Sequence, residues 1–374
     1  MNKLISGLRA ILGKSPAPAD EPSAPARGAA EVPGLLVNAY ATHGAPPPIS
    51  FPHALHARRD RSDPELAPHL AGFLGYIQAQ AKDGEMTKAR YHLMRHVQRV
   101  QHHMSLSIDP SQLDAYAQWA DEANAVAFLP DGTVRDHRGR LLIAPAGGAI
   151  DPEAEVPWPR DAWARKARTE QALADRGLEV PTHLPPVPGG DELRPRGALE
   201  IFGRAQALVV VSERAISLRD GDPLPIDLFR QRLPGAFEHL SPDEHAFLAQ
   251  DAASPEQVAR FGWQCECTQV LAWASGLLDA LPFPSAICNG GEITRAVLEN
   301  AGRNPVSLRL RSSAEVLDQL DLHYRLHWLT TEARIGRRDT VAGVEPGVVM
   351  ERHRALNWLV RFADAQWDDV DMPT

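Results

Sequence analysis

Eight residues in the C-terminal half could line a reactive cleft: Glu266, Arg311, Asp321, Arg325, His327, Glu351, Arg352 and Asn357. Carboxylates, guanidinium groups, an imidazole and an amide are the groups that move protons and hold charged intermediates. With Glu332 and Arg334, most of them stand beside strongly apolar positions. A charge buried there must be paired or it costs several kcal/mol. The pattern therefore has two readings: a helical bundle held in register by arginine–carboxylate pairs, which we favour, or a polar cleft. The metal-binding patterns are weaker. His323 and His327 stand at i and i+4, a zinc-ligand spacing, but the intervening residues are Tyr324, Arg325 and Leu326, without the glutamate of a metalloprotease. His92 and His96 repeat the spacing, with His102 and His103 beyond, and read as one face of a helix. Cys265, Glu266 and Cys267 fall on one helical segment. Residues two apart on a helix do not face each other, so neither a redox pair nor a shared metal is expected; Cys267 reads as core and Cys265 as incidental. Asp368, Asp369 and Asp371 could hold a hard cation but lack calcium-loop spacing, and read as a solvated terminus. No G-x-S-x-G, phosphate-binding glycine loop or dinucleotide fingerprint occurs. The expectation is no metal and no cofactor.

These residues must be positioned by elements, and the sequence marks many of them. Ser241, Ser254 and Ser312 each precede a helical stretch with Glu244, Gln257 or Glu315 three residues on, the signature of a capping box. Apolar residues at 3.6 spacing predict a helix from 255 to about 280, another through Val316, Leu317, Leu320, Tyr324 and Trp328, and a last one through Val349, Leu356, Leu359 and Phe362. Stacked stripes of this kind make a bundle over 160–374. Upstream the pattern is mixed. Residues 35–42, 50–57 and 73–80 read as strands, 86–101 and 111–124 as helices, and 125–145 as short strands joined by turns at Asp131-Gly132 and Arg138-Gly139. This predicts an α+β domain over 34–150 with an antiparallel contribution to its sheet, followed by a mainly α helical-bundle domain. Proline-rich breaks lie at 145–160 and 181–196.

Residues 1–14 carry Lys3, Arg9 and Lys14 and a helical apolar spacing, and 15–33 have linker composition. The expectation is an amphipathic helix with at most weak membrane-surface contact, and no secretory signal. The 374 residues suit two domains, and 44% hydrophobic with 23% charged residues is ordinary globular composition. A net charge of −9 argues against nucleic-acid binding. No apolar run is long enough to span a membrane. Three cysteines match no disulfide framework, which suits a reducing cytoplasm. Among 39 basic residues five are lysine, a bias of GC-rich bacterial coding.

Several blocks of the C-terminal half resemble a bacterial family, the domain of unknown function DUF4272. They are Trp163 to Lys166 through Leu173 to His183-Leu184-Pro185, then Arg196 with Glu200-Ile201 and Arg204-Ala205. Trp263 with Glu266, Leu271 to Ala274, and Leu310-Arg311-Ser312 follow. The most specific blocks are Leu317 through Trp328 and Glu351 through Leu359, and the last is Trp367 to Val370. The pattern departs at its end, where Pro373 rather than an acid stands before Thr374. The resemblance spans about 160–374 and implies no reaction and no established catalytic residue. Three functions remain in view: a protein-interaction or adaptor protein with a protein partner, an enzyme with a polar cleft built from the eight residues, or an acidic neutraliser of a basic toxin, as an immunity protein or antitoxin would be.

Overall fold

The computed structural model describes residues 34–80, 86–250, 252–336 and 341–374. The amphipathic helix and linker expected over 1–33 lie outside them. The chain divides into two compact units, one ending at Pro157 and the other running from Trp158 to Thr374.

The N-terminal unit is an antiparallel sheet with helices on both faces. Its strands are β1 (Leu35–Ala41), β2 (Ala54–Asp60), β3 (His102–Ile108), β4 (Ala125–Phe128), β5 (Val134–Arg135) and β6 (Leu141–Ile143). They lie in the order β2-β3-β1-β4-β5-β6. The two-residue period of a strand sends Val37, Ala39 and Ala41 to one face and Tyr40 to the other. Helices α1 (Leu66–Ala79) and α2 (Lys88–Arg99) cover the Tyr40 face, and α3 (Leu113–Glu122) covers the other with Tyr116 and Trp119. Two expectations are corrected. Residues 73–80 are not a strand but the end of α1. The window was too short to show that Leu66, Leu70, Phe73 and Ile77 form one buried stripe. The strand expected over 50–57 starts at Ala54, beyond Pro52, which has no N–H for a ladder. Strand β3 was not anticipated, although Met104, Leu106 and Ile108 alternate correctly for one.

The C-terminal unit is helical: α4 (Arg160–Ala174), α5 (Ala198–Arg219), α6 (Ile226–Arg232), α7 (Pro242–Leu248), α8 (Pro255–Gly262), α9 (Gln264–Ala274), α10 (Gly290–Glu299), α11 (Ser313–Ile335) and α12 (Pro346–Leu359). Helix α5 is the axle. Ile201, Ala205 and Leu208 pack towards Leu271, Leu317 and Leu356, while Phe202, Val209 and Val210 pack towards Phe247, Phe261 and Ile293. All three capping boxes form: each serine accepts the N3 backbone N–H, and the N3 side chain accepts the serine N–H.

The single helix expected from 255 to 280 is two. Helix α8 ends at Gly262, and α9 starts after Trp263 and stops at Ala274. The stop is Gly276, whose φ of 73° lets Leu277 N–H reach the carbonyl of Ala272 and Gly276 N–H that of Trp273. A Cβ at Gly276 would also collide with the Arg309 carbonyl.

Candidate functional site

The eight candidate residues do not share a pocket. Asp321 and Arg325, one turn apart on α11 and fully buried, form a two-pronged pair, Nη2–Oδ1 2.8 Å and Nε–Oδ2 3.2 Å. Arg325 also reaches Glu170 of α4 at 3.1 Å. Glu266 holds Arg352 through Oε2 at 2.9 Å, and that guanidinium donates on to Gln269 and to the Pro282 carbonyl. Arg311 reaches across the end of α9 to the carbonyls of Trp273, Leu278 and Asp279. Glu351 accepts the buried Cys267 thiol at 3.3 Å, and burial pushes its carboxyl above the usual range. His327 meets His353, Nδ1 to Nδ1 at 2.9 Å, and burial pushes its pKa down to about 4. Asn357 donates to the Asp371 carbonyl. Each is a local fastening within the core.

The histidine pairs are fastenings too. His323 donates to the Gln319 carbonyl and His96 to that of Tyr40, and burial pushes both pKa values down to about 3. In the N-terminal unit His103 sits between Arg59 Nη1 and Asn38 Oδ1, with the His69 ring 4.1 Å away and Tyr40 hydrogen-bonded to His69. Arg59 donates to Nδ1, so the remaining proton is on Nε2 and donates to Asn38. His103 is thus a neutral ring with both nitrogens satisfied.

The C-terminal unit opens cavities lined by none of the eight, and two of them carry groups of chemical interest. The first, about 650 Å³, lies between the start of α5, residues 238–243 and the tail after α12. Five carboxylates line it, Glu200, Glu238, Asp243, Asp368 and Asp369, against Arg196 and Arg204. Both arginines are engaged internally. Arg196 donates to the Trp358 and Ala365 carbonyls and to Glu200, and its guanidinium lies 4.1 Å over the Trp358 ring. Arg204 binds Glu244 and the His239 carbonyl and stacks on Trp367. Gly203 lets the His239 ring come this close to α5, since a Cβ there would strike it. Asp368 accepts the Asp243 backbone N–H at 3.1 Å. Among the described residues, Glu238, Asp368 and Asp369 make no ion pair. The buried Trp367 Nε1 and Arg204 Nε have no hydrogen-bond partner. Such a wall attracts cations, while the Trp358 and Trp367 rings behind it are already covered by Arg196, Arg204 and Arg354.

The resemblance supplied most of these residues, in blocks far apart in sequence: Arg196, Glu200, Arg204, Trp358, Trp367, Asp368 and Asp369. By sequence Asp368 and Asp369 read as a solvated terminus, and Glu238 carries no local signal. Only the return of the tail to α5 brings them together. A model of the DUF4272 family, domain of unknown function, matches residues 165–370, more than half of the chain. The chain belongs to the DUF4272 family. The cavity of this DUF4272 chain lies wholly within the matched residues. No curated protein and no solved structure matches it.

The second cavity, about 710 Å³, is mainly apolar and runs along α8 and the end of α5, with Ile216, Val258, Trp263 and Ile287 in its wall. Cys265 and Cys288 also line it. Their sulfurs and a Glu266 carboxylate oxygen all lie within 4.8 Å of one another. This corrects the reading of Cys265 as incidental: its neighbour is Cys288, from the segment before α10, and Cys267 faces elsewhere. Sequence gave no sign of the pairing, because an irregular connection of no fixed period carries Cys288 back. No described helix is long and apolar enough to cross a membrane.

Proposed function

We propose that this protein is a protein-interaction protein, and that the acid-mouthed cavity of its helical unit receives a basic side chain of a partner. The observation that supports this most is the trio Glu238, Asp368 and Asp369, carboxylates that make no ion pair among the described residues and line one cavity. A lysine or arginine entering there would gain charge complementarity. The reading includes the neutraliser as a special case, in which the partner is a basic toxin. Three free cysteines suit a reducing cytoplasm as the place where it acts. An enzymatic cleft built from the eight candidate residues has no support in this geometry, since they are tied up in separate buried contacts, Asp321 with Arg325 and Glu266 with Arg352 among them.

A photoreactive residue placed at exposed Glu238 tests the reading in living host cells. The expected result is a discrete polypeptide adduct that is absent when the probe sits at Val306, 84% exposed on another surface. Asp368→Asn with Asp369→Asn should abolish that adduct while leaving the melting temperature within a few degrees. No adduct at 238, or one indifferent to the double substitution, refutes the proposal.

A further inference from the structure

The geometry points to a zinc site in the wall of the apolar cavity, with Cys265 Sγ, Cys288 Sγ and a Glu266 carboxylate oxygen as protein ligands and an open position facing the cavity. It is independent of the acid-mouthed cavity, and shares no lining residue with it. Three groups of the required kinds lie within 4.8 Å of each other, so one ion can touch all of them. Two thiolates and a carboxylate match the borderline softness of zinc, and a hard cation such as magnesium would not select sulfur.

The surroundings of the three ligands also fit. Glu266 is fully buried, and its carboxylate is oriented from behind. Oε1 accepts the Cys288 backbone N–H at 2.6 Å, and Oε2 accepts Arg352 Nε at 2.9 Å. Arg352 is fixed in turn by Gln269 at 2.6 Å and the Pro282 carbonyl at 2.7 Å. Such outer partners hold a ligating carboxylate in place. They leave further lone pairs on both oxygens free for a metal. Charge also balances: two thiolates and a carboxylate against Zn²⁺ and Arg352. The two thiols already interact. Cys288 donates a hydrogen bond to Cys265, so the two side chains already face each other. Zinc would displace the remaining thiol protons to solvent as its bonds to both sulfurs form, with no change of oxidation state. Both cysteines are half-buried, and the cavity is the entry path. Three protein ligands with a fourth position open is the arrangement that lets zinc bind water or a substrate atom.

The full-length protein, reduced and freed of metal, is titrated with Zn²⁺ against a chromophoric chelator, and separately with Co²⁺. The expected result is one equivalent of zinc, and near-ultraviolet thiolate-to-cobalt charge-transfer absorption. Cys265→Ser and Cys288→Ser should each lower zinc affinity at least tenfold and remove that absorption. Cys267→Ser should keep both, because that thiol binds Glu351 instead. Melting curves of the metal-free variants confirm that they fold. Three outcomes overturn the site: no zinc uptake by protein whose thiols all titrate as free; uptake that survives both Cys265→Ser and Cys288→Ser; or a Cys265–Cys288 disulfide in the isolated protein with no uptake after reduction. None of these results touches the adduct at Glu238, so the two proposals stand or fall separately.

Discussion

At the scale of single residues, the core depends on polar groups that are neutral or held in ion pairs and hydrogen bonds. The buried histidines make that dependence visible in pH. His96, His103 and His323 are pushed down to about 3, and His327 to about 4, chiefly by burial. An unfolded histidine titrates near 6.5. As pH falls below that value, the unfolded chain takes up protons that the folded chain refuses. The histidine contribution is therefore complete above pH 6.5 and lost progressively towards pH 3. Glu351 acts in the opposite sense, since a carboxyl raised by burial favours the folded state as it protonates. Between pH 6.5 and 5 most carboxylates stay ionised and the histidines should dominate. The melting temperature is expected to fall across that window, and to fall less in His323→Gln, whose amide can still donate to the Gln319 carbonyl. A flat profile, or equal slopes for the two proteins, would contradict this account. Sequence suggested arginine–carboxylate pairs without naming partners: Asp321 and Arg325, one turn apart, could have been matched by spacing alone. Glu266 and Arg352, 86 positions apart, could not, because nothing local to either residue names the other.

At the scale of elements, starts were easier to read than stops. A capping box is written in four consecutive residues, and Ser241, Ser254 and Ser312 all form one. The break at Trp263 and the end of α9 have no comparable signature, because an apolar stripe continues through both. The end depends on Gly276, and its necessity comes partly from the Arg309 carbonyl, brought there by a distant stretch of chain. The two kinds of signal should differ in cost. Ser312→Ala removes one exposed cap and should lower stability by about 1 kcal/mol. Gly276→Ala places a Cβ at positive φ, which alone costs about 1–2 kcal/mol, and also drives it into backbone. Its loss in denaturant melts should exceed that of Ser312→Ala clearly. Equal losses would mean that α9 can end elsewhere. Strand β3 illustrates the remaining difficulty. The helical pattern of α2 runs to Arg99, and the strand begins three residues later with two histidines, so the change of period is masked by composition.

At the scale of the whole molecule, the α+β and helical parts each hold their own core. Tyr40, Phe73, Leu93 and Val126 serve the first, while Leu208, Leu271, Leu317 and Leu356 serve the second. Residues 158–374 expressed alone should therefore melt in one cooperative step with helical circular dichroism. A broad, non-cooperative loss would show that the division after Pro157 does not mark a folding unit. The acidic composition was legible from the outset, but the convergence of five carboxylates on one cavity was not. One further feature concerns how such a protein can change over time. Many of its arginines end on main-chain oxygens: Arg311 on residues 273, 278 and 279, Arg352 on 282, Arg196 on 358 and 365, Arg354 on 367 and Arg214 on 224. A carbonyl is the same whatever side chain its residue bears. The loops clasped in this way are free to drift in sequence, even to exchange every exposed side chain, while the clasps themselves are not. Divergent descendants of this fold could thus share little beyond a scatter of arginines and still keep the same path of chain.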